Sequence, residues 1–274
     1  MFSDILMTVD FDRTLTAPDG SIPQRNVEAI RYFMENGGTF TVNTGRSYLS
    51  FIRFLDVIPV NAPLLLMNGS VSYENGDFSD VQYLPMDAWP AVQQVLEAFP
   101  GVNIELQNPD MHYLVPPCEN YANYYRDRNF PHEMADPAIH HGPFVKIGVY
   151  GDLTCKIVPN EQDEKPLFDK IEAFLKEHYG DELAVFRATA RIINVHHKDA
   201  SKLQGAKRLQ KKLGKKILVC VGDEGNDIPM LCGADFAFCP SDGAVADQFP
   251  NVCPCAEGAV ADVIYNRLPE ILKG

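Results

Sequence analysis

Two aspartates one residue apart, Asp10 and Asp12, stand where the apolar run Ile5-Leu6-Met7-Thr8-Val9 stops. Like charges at the end of a buried strand need a compensating cation or solvent. Mg²⁺, which takes a few carboxylate oxygens together with water and substrate phosphate, meets that need. An acid after a strand can equally be a turn or cap residue, so the pair alone leaves both readings open. Three further groups follow in the chain: Thr44, Lys202, and the pair Asp223 and Asp227. Together they suit phosphoryl transfer, where catalysis is mostly positioning and charge stabilisation. One carboxylate can attack phosphorus to form an aspartyl phosphate. A second can protonate the leaving oxygen and then deprotonate the incoming water. A hydroxyl and an ammonium would hold phosphate oxygens, and distal carboxylates would complete a Mg²⁺ site.

Such groups act together only if the fold delivers them to one edge. The opening strand, Ile5 to Val9, is followed by a helix expected over residues 23–36, with Pro23 in its first turn and Gly37-Gly38 ending it. Thr39 to Asn43 reads as a second strand ending at Thr44-Gly45-Arg46-Ser47, and Pro63 to Met67 as a third. This alternation predicts a parallel sheet covered on both faces. The pattern changes between about Val81 and Arg191, where short aromatic strands and a helical segment from Lys165 to Tyr179 suggest an inserted α+β unit. Lys146 to Tyr150 and Ile192 to Val195 read as strands of α+β type. The α/β pattern resumes near Ser201, with Leu203, Ala206, Leu209 and Leu213 marking a helix, and Ile217 to Val221 running into Gly222-Asp223-Glu224-Gly225-Asn226-Asp227. A last helix is expected from about Ala259. The expected division is a core of residues 1–80 and 192–274 around an insertion of residues 81–191. The polar clusters that follow these strands fall at their carboxyl ends, where parallel sheets bind their ligands, and Lys202 stands in the first turn of its helix, next to Ser201.

Composition narrows the class. With 46% hydrophobic and 22% charged residues, the 274-residue chain reads as an ordinary globular protein with room for two domains. A net charge of −13 argues against broad binding to nucleic acid or to an anionic membrane. No apolar run reaches spanning length, and Met1-Phe2-Ser3-Asp4 lacks the basic start of a secretory signal. Seven cysteines without framework spacing fit a reducing compartment, so a cytoplasmic location is expected. Cys253-Pro254-Cys255 has no matching second pair and is not read as a zinc site.

The motifs and their order resemble the haloacid dehalogenase superfamily, and within it the Cof-type phosphatases with an inserted α/β cap. Asp10-Phe11-Asp12-Arg13-Thr14-Leu15 resembles the first motif of that family, Thr44-Gly45-Arg46-Ser47 the second and Lys202 the third. Gly222 to Asp227 is similar to the fourth, and Met67-Asn68-Gly69 to a further family element. The resemblance implies a Rossmann-like parallel-sheet core with an inserted α+β cap. It implies that Asp10 is the nucleophile and a metal ligand, and Asp12 the general acid/base with its backbone carbonyl on Mg²⁺. Thr44 and Lys202 would bind the phosphoryl group, and Asp223 would be the third protein ligand. Asp227 would bind through water or steady Lys202, and Asn226 would touch phosphate or a water. Arg46 and Asn68 would lie near the site. The implied activity is Mg²⁺-dependent hydrolysis of small phosphorylated metabolites, sugar phosphates foremost, with the cap choosing the substrate. The alternatives are a phosphomutase of the same superfamily and a catalytically impaired sugar-phosphate-binding protein. Oligomeric state is not legible.

One position departs from the family. Arg13 stands where glycine is usual. Either the backbone there avoids positive φ, or Arg13 reaches outward as a cation near the entrance, or the chemistry is slowed. The adjacent pairs His140-His141 and His196-His197 would point to opposite faces of a strand and are read as surface or hydrogen-bonded residues. His112, Tyr113, Tyr121, Tyr124 and Tyr125 fit either an inner cap wall or an ordinary cap core.

Overall fold

The computed structural model describes residues 1–151 and 161–272. Its contacts divide into two units: Met1–Arg46, Phe51–Asp80 and Ser201–Gly274 form the first, and Ser47–Ser50 with Val81–Ala200 form the second.

In the first unit, β1 (Ile5–Val9) is apolar except for Thr8 and buried along its whole length, as a strand covered on both faces must be. It is flanked in parallel by β2 (Thr39–Val42) on one side and by Ile217–Val221 on the other. The helix Gln24–Glu35 packs its buried Val27, Ala29, Ile30 and Phe33 against the core. The expected third strand, β3 (Leu64–Leu66), departs from the all-parallel expectation. It pairs antiparallel with β4 (Val71–Glu74), which pairs with β5 (Asp77–Ser79), and it meets the residue just beyond β2 through the parallel bridge Asn43–Leu65. The reason is the tight reversal after it, where Met67, Asn68 and Gly69 all adopt positive φ and turn the chain back on itself.

The second unit is a six-stranded sheet. Its strands are β6 (Asn103–Gln107), β7 (His112–Val115), β8 (His132–Met134), β9 (Lys146–Tyr150), β10 (Leu183–Thr189) and β11 (Ile192–His197), in the order β10-β11-β9-β6-β7-β8. All neighbours are antiparallel except β7 and β8. Alternation sends Ile104 and Leu106 into an apolar core with Trp89, Val92, Phe168 and Ile171. Glu105 goes to the other face, wholly buried, where the hydroxyls of Tyr121 (3.2 Å), Tyr125 and Tyr150 (2.5 Å) donate to it. Tyr121 and Tyr125 are therefore packed in the interior of this unit rather than along an open wall. β11 corrects the expected boundary at residue 192: it is hydrogen-bonded between β10 and β9, and the first unit resumes only at Ser201. It also carries His196 into full burial against Phe186, away from the surface.

The chain returns to the first unit through the helix Lys202–Lys212, capped by Ser201, whose side chain accepts from the Gln204 N–H. Next come β12 (Ile217–Val221), β13 (Phe236–Pro240) and β14 (Asn251–Val252), which complete the parallel order β14-β13-β12-β1-β2. The chain moves outward from β1 in one direction and from β12 in the other. The crevice beyond these two strands is thus a topological switch point, the place where open parallel sheets bind ligands. Among the described residues, no helix is long and apolar enough to cross a membrane.

Candidate active site

Asp10 and Gly222 leave the sheet side by side, for Val9 pairs with Val221 and the Asp10 N–H donates to the Val221 carbonyl at 2.9 Å. This register brings the acids of both loops together. One oxygen from each of Asp10, Asp223 and Asp227 lies within 4.8 Å of the others, and all three residues are buried. Lys202 reaches the same spot from the first turn of its helix and donates to Asp10 Oδ1 at 2.5 Å and to Asp227 Oδ1 at 2.7 Å. The other oxygen of Asp227, Oδ2, accepts the main-chain N–H groups of Asp223 and Glu224, each at 3.1 Å. Both of its oxygens are thus engaged, and Asp227 fixes the loop and the lysine together. Gly222 permits this closeness, since a Cβ there would lie 2.6 Å from the Cβ of Asp227.

The electrostatics follow from burial. Desolvation pushes the Asp10 carboxyl well above its ordinary range against the pull of Lys202, and the charges of Asp227 and Asp223 add to the rise. Burial alone would lower the Lys202 ammonium, but Asp10 and Asp227 outweigh it and hold it above its usual value. Asp223 is pushed up to about 6, chiefly by burial, with the Thr14 hydrogen bond opposing. Thr14 donates to Asp223 Oδ1 at 2.8 Å. Asp223 Oδ2 is buried with no hydrogen-bond partner among the described residues, and its nearest cation is Arg13 Nε at 3.9 Å. A buried, unpartnered carboxylate oxygen beside two more acids fits a hard divalent cation.

The remaining residues sit on the loops around this cluster. Thr44 is buried just beyond β2, its hydroxyl accepting the Arg46 N–H at 3.2 Å. The Thr44 carbonyl accepts the Asn68 N–H at 3.0 Å, which ties the β2 loop to the β3 turn. Asn226 makes a long contact of 3.4 Å from Nδ2 to Asn68 Oδ1. Asp12 projects outward, half exposed, and both of its oxygens are paired with Arg46. Arg13 takes the left-handed conformation, φ 58° and ψ 8°, with its N–H bonded to Thr16 Oγ1 at 3.1 Å. Of the three alternatives for this position, a backbone that avoids positive φ is thereby excluded.

Two supporting residues escaped the sequence reading. Thr14 stands in the first motif, and its hydroxyl two residues after Asp12 is the signal the sequence offers. Asn43, buried at the end of β2, donates to the Lys202 carbonyl at 2.8 Å and to Met230 Sδ at 3.5 Å. Nothing local to its sequence marked it.

Comparison with known proteins agrees with this geometry. The model of the haloacid dehalogenase-like hydrolases matches residues 7–246, nearly the whole chain. The chain belongs to that family. It is accordingly a haloacid dehalogenase-like hydrolase. A haloacid dehalogenase-like hydrolase from Bacteroides thetaiotaomicron is similar over 96% of this chain and 98% of its own, with TM-score 0.78 and 16% identity. Another, from B. subtilis, covers 95% and 99% at TM-score 0.75 and 18% identity. A superfamily member described as a subclass IIB sugar phosphatase covers 94% and 97% at TM-score 0.72 and 18% identity. At these identities the likeness is one of fold. No curated protein matches the chain.

Proposed function

We propose that this chain is a Mg²⁺-dependent phosphatase that hydrolyses small phosphorylated metabolites, sugar phosphates foremost, through an aspartyl-phosphate intermediate on Asp10. The observation that carries the reading is the single lysine bridging two buried acids, Asp10 and Asp227, beside a third whose Oδ2 has no hydrogen-bond partner among the described residues. A structural ion pair does not require that third acid, whereas a phosphoryl-transfer site does.

Asp10, Asp223 and the main-chain carbonyl of Asp12 would hold the ion, with Asp227 behind them or joined through water. When bound, Mg²⁺ supplies positive charge for the phosphate oxygens and for the buried acids. In the proposed reaction Lys202 fixes Asp10 by its Oδ1, so attack on phosphorus falls to Oδ2. The O–P bond forms as the bond from phosphorus to the leaving oxygen breaks. Thr44, whose hydroxyl accepts from Arg46, keeps its own proton to donate to a phosphoryl oxygen, and the Lys202 ammonium supports another. Asp12, aligned by Arg46 until substrate enters, takes up a proton from solvent as that pair opens and gives it to the leaving oxygen. It then takes one from the water that opens the aspartyl phosphate, regenerating Asp10 and releasing inorganic phosphate. Asn226 would serve as a phosphate or water contact.

Sugar phosphates lead because a structurally similar protein is described as a sugar phosphatase, and the inserted unit is taken to choose among substrates. Net charge −13 leaves anion recognition to these local cations. A cytoplasmic location is proposed on the described cysteines, all of them free. The decisive experiment is inorganic phosphate release from a panel of sugar phosphates, nucleotides and pyridoxal phosphate, with and without Mg²⁺, for the native chain and Asp10→Asn. Metal-dependent release abolished by the substitution is expected. Phosphate retained on rearranged sugar, without free phosphate, would replace the reading by a phosphomutase.

A further inference from the structure

Arg13 is an anomaly in three respects. It occupies a left-handed backbone position, φ 58°, that glycine or asparagine fills at less cost. Its guanidinium lies on the one oxygen of Asp223 that no hydrogen bond satisfies, with Nε 3.9 Å from Oδ2. It also acts on a second acid: Asp242 is an exposed residue whose carboxyl is lowered by the N–H and thiol of Cys255 against its partial burial, with the Arg13 charge contributing. A strained residue persists when its surroundings over-determine it, and such strain collects where a side chain has a task.

We propose that Arg13 is a stand-in cation: it neutralises Asp223 while no divalent ion is bound, and it weakens the hold on that ion when one arrives. The role rests on the reading of Asp223 as a metal ligand. The chemistry is charge competition. A guanidinium and a divalent cation cannot both approach one carboxylate oxygen at little cost, because their like charges oppose each other across a few ångströms of poorly screened space. The Arg13 side chain is half exposed, so when the ion displaces it the guanidinium passes into solvent and no charge is left stranded. The backbone does not move in this exchange, since the Arg13 N–H is tied to Thr16 Oγ1. The consequence is a site whose occupancy tracks the free Mg²⁺ level instead of staying saturated.

The test is isothermal titration of MgCl₂ into the EDTA-treated full-length chain, comparing the native protein with Arg13→Gly, Arg13→Asn, Arg13→Lys and Asp223→Asn. Glycine and asparagine both suit the left-handed position and remove the charge, so both are expected to bind Mg²⁺ about tenfold more tightly, equivalent to ~1.4 kcal/mol. Arg13→Lys is expected to stay near the native value. Tightening by glycine alone would mark backbone relaxation as the cause and overturn the proposal. So would unchanged or weaker binding in both neutral variants while Asp223→Asn abolishes it, which would leave the metal site itself standing. No Mg²⁺ binding by the native chain or any Arg13 variant would overturn the metal-site reading and this one with it.

Discussion

Arg46 grips both carboxylate oxygens of Asp12, Nε to Oδ2 at 2.8 Å and Nη2 to Oδ1 at 2.7 Å. The guanidinium is itself seated over the rings of Phe11 and Phe54, 5.1 and 5.6 Å from their centroids. A two-point fork sets the plane of the carboxylate, which a single ammonium would not. Because the pair is partly exposed to solvent, its contribution to stability is small, of the order of 0–1 kcal/mol. Its effect should therefore appear in kinetics. Arg46→Lys, which keeps the charge and loses the fork, is expected to lower kcat about tenfold, a part of the 10²–10⁴ that a positioned acid/base supplies. KM and thermal midpoint should change little. A matching fall in midpoint would make the pair structural instead.

Asp12→Ala tests the partner directly. The side chain is half exposed and contributes no core packing, so the variant should fold normally. Phosphate release should fall by about 10²–10⁴, the usual worth of general acid/base catalysis. A folded variant with native turnover would remove Asp12 from the reaction.

Lys202→Met leaves Asp10 and Asp227 facing each other in the interior with no cation between them. Removing one partner of a buried ion pair costs about 3–5 kcal/mol. Urea unfolding should show that loss, together with no phosphate release. Millimolar Mg²⁺ should restore part of the stability but none of the activity. Loss of activity alone would indicate that the site water already screens the two acids.

Mg²⁺ binding should weaken below the point to which Asp223 is raised, about 6. The bound form needs the carboxylate, so below that pH each ion must displace a proton, and affinity drops by up to about tenfold per pH unit for each proton. Titration calorimetry at pH 5 and pH 7.5 reads this as a weaker constant with proton release at the lower pH. Equal constants would place the ion elsewhere.

The inserted unit has its own dependence at alkaline pH. Burial depresses Lys146 to about 8, against the attraction of Glu105. Between pH 8 and 10 the unfolded chain therefore binds the extra proton, and stability rises with pH, by roughly 2–3 kcal/mol. Above pH 10 the sign reverses. Tyr121, Tyr125 and Tyr150, raised well above 10 mainly by burial and then by Glu105, stay protonated in the fold while the unfolded chain ionises. Trp89, the only tryptophan, lies in this unit, so its fluorescence in urea at a series of pH values reports the maximum. Lys146→Met should flatten the rise and leave the fall.

The parts of the fold that local pattern could announce were announced by it. β1 and β12 are short apolar runs ending in acids, and Ser201 with its following helix carries an ordinary cap. The acids of the first and fourth motifs meet because β1 and β12 are paired neighbours, and Lys202 joins them from the first turn of its helix. What local pattern does not carry is the identity of a strand's partner. β11 has the same apolar character whether it opens the core or closes the insertion, and only its pairing with β9 and β10 decides. β3 likewise reads as another parallel strand until the turn at Met67 to Gly69 folds β4 back on it. The Arg46–Asp12 fork joins residues 34 positions apart, and the Thr14–Asp223 bond joins residues 209 apart. No periodicity encodes such encounters.

Gly69 and Gly205 meet main chain to main chain. A Cβ on Gly205 would stand 2.9 Å from the Gly69 Cα, and one on Gly69 would stand 2.5 Å from the Ser201 carbonyl oxygen. The helix that begins with Lys202 is thus seated by contact between backbones, with Arg208 clasping the Gly69 carbonyl at 2.7 Å. A lysine anchored in this way owes its position to peptide groups, which every sequence shares. The surrounding side chains are then free to drift over generations without shifting the ammonium from its station, and the fold itself persists at 16–18% identity.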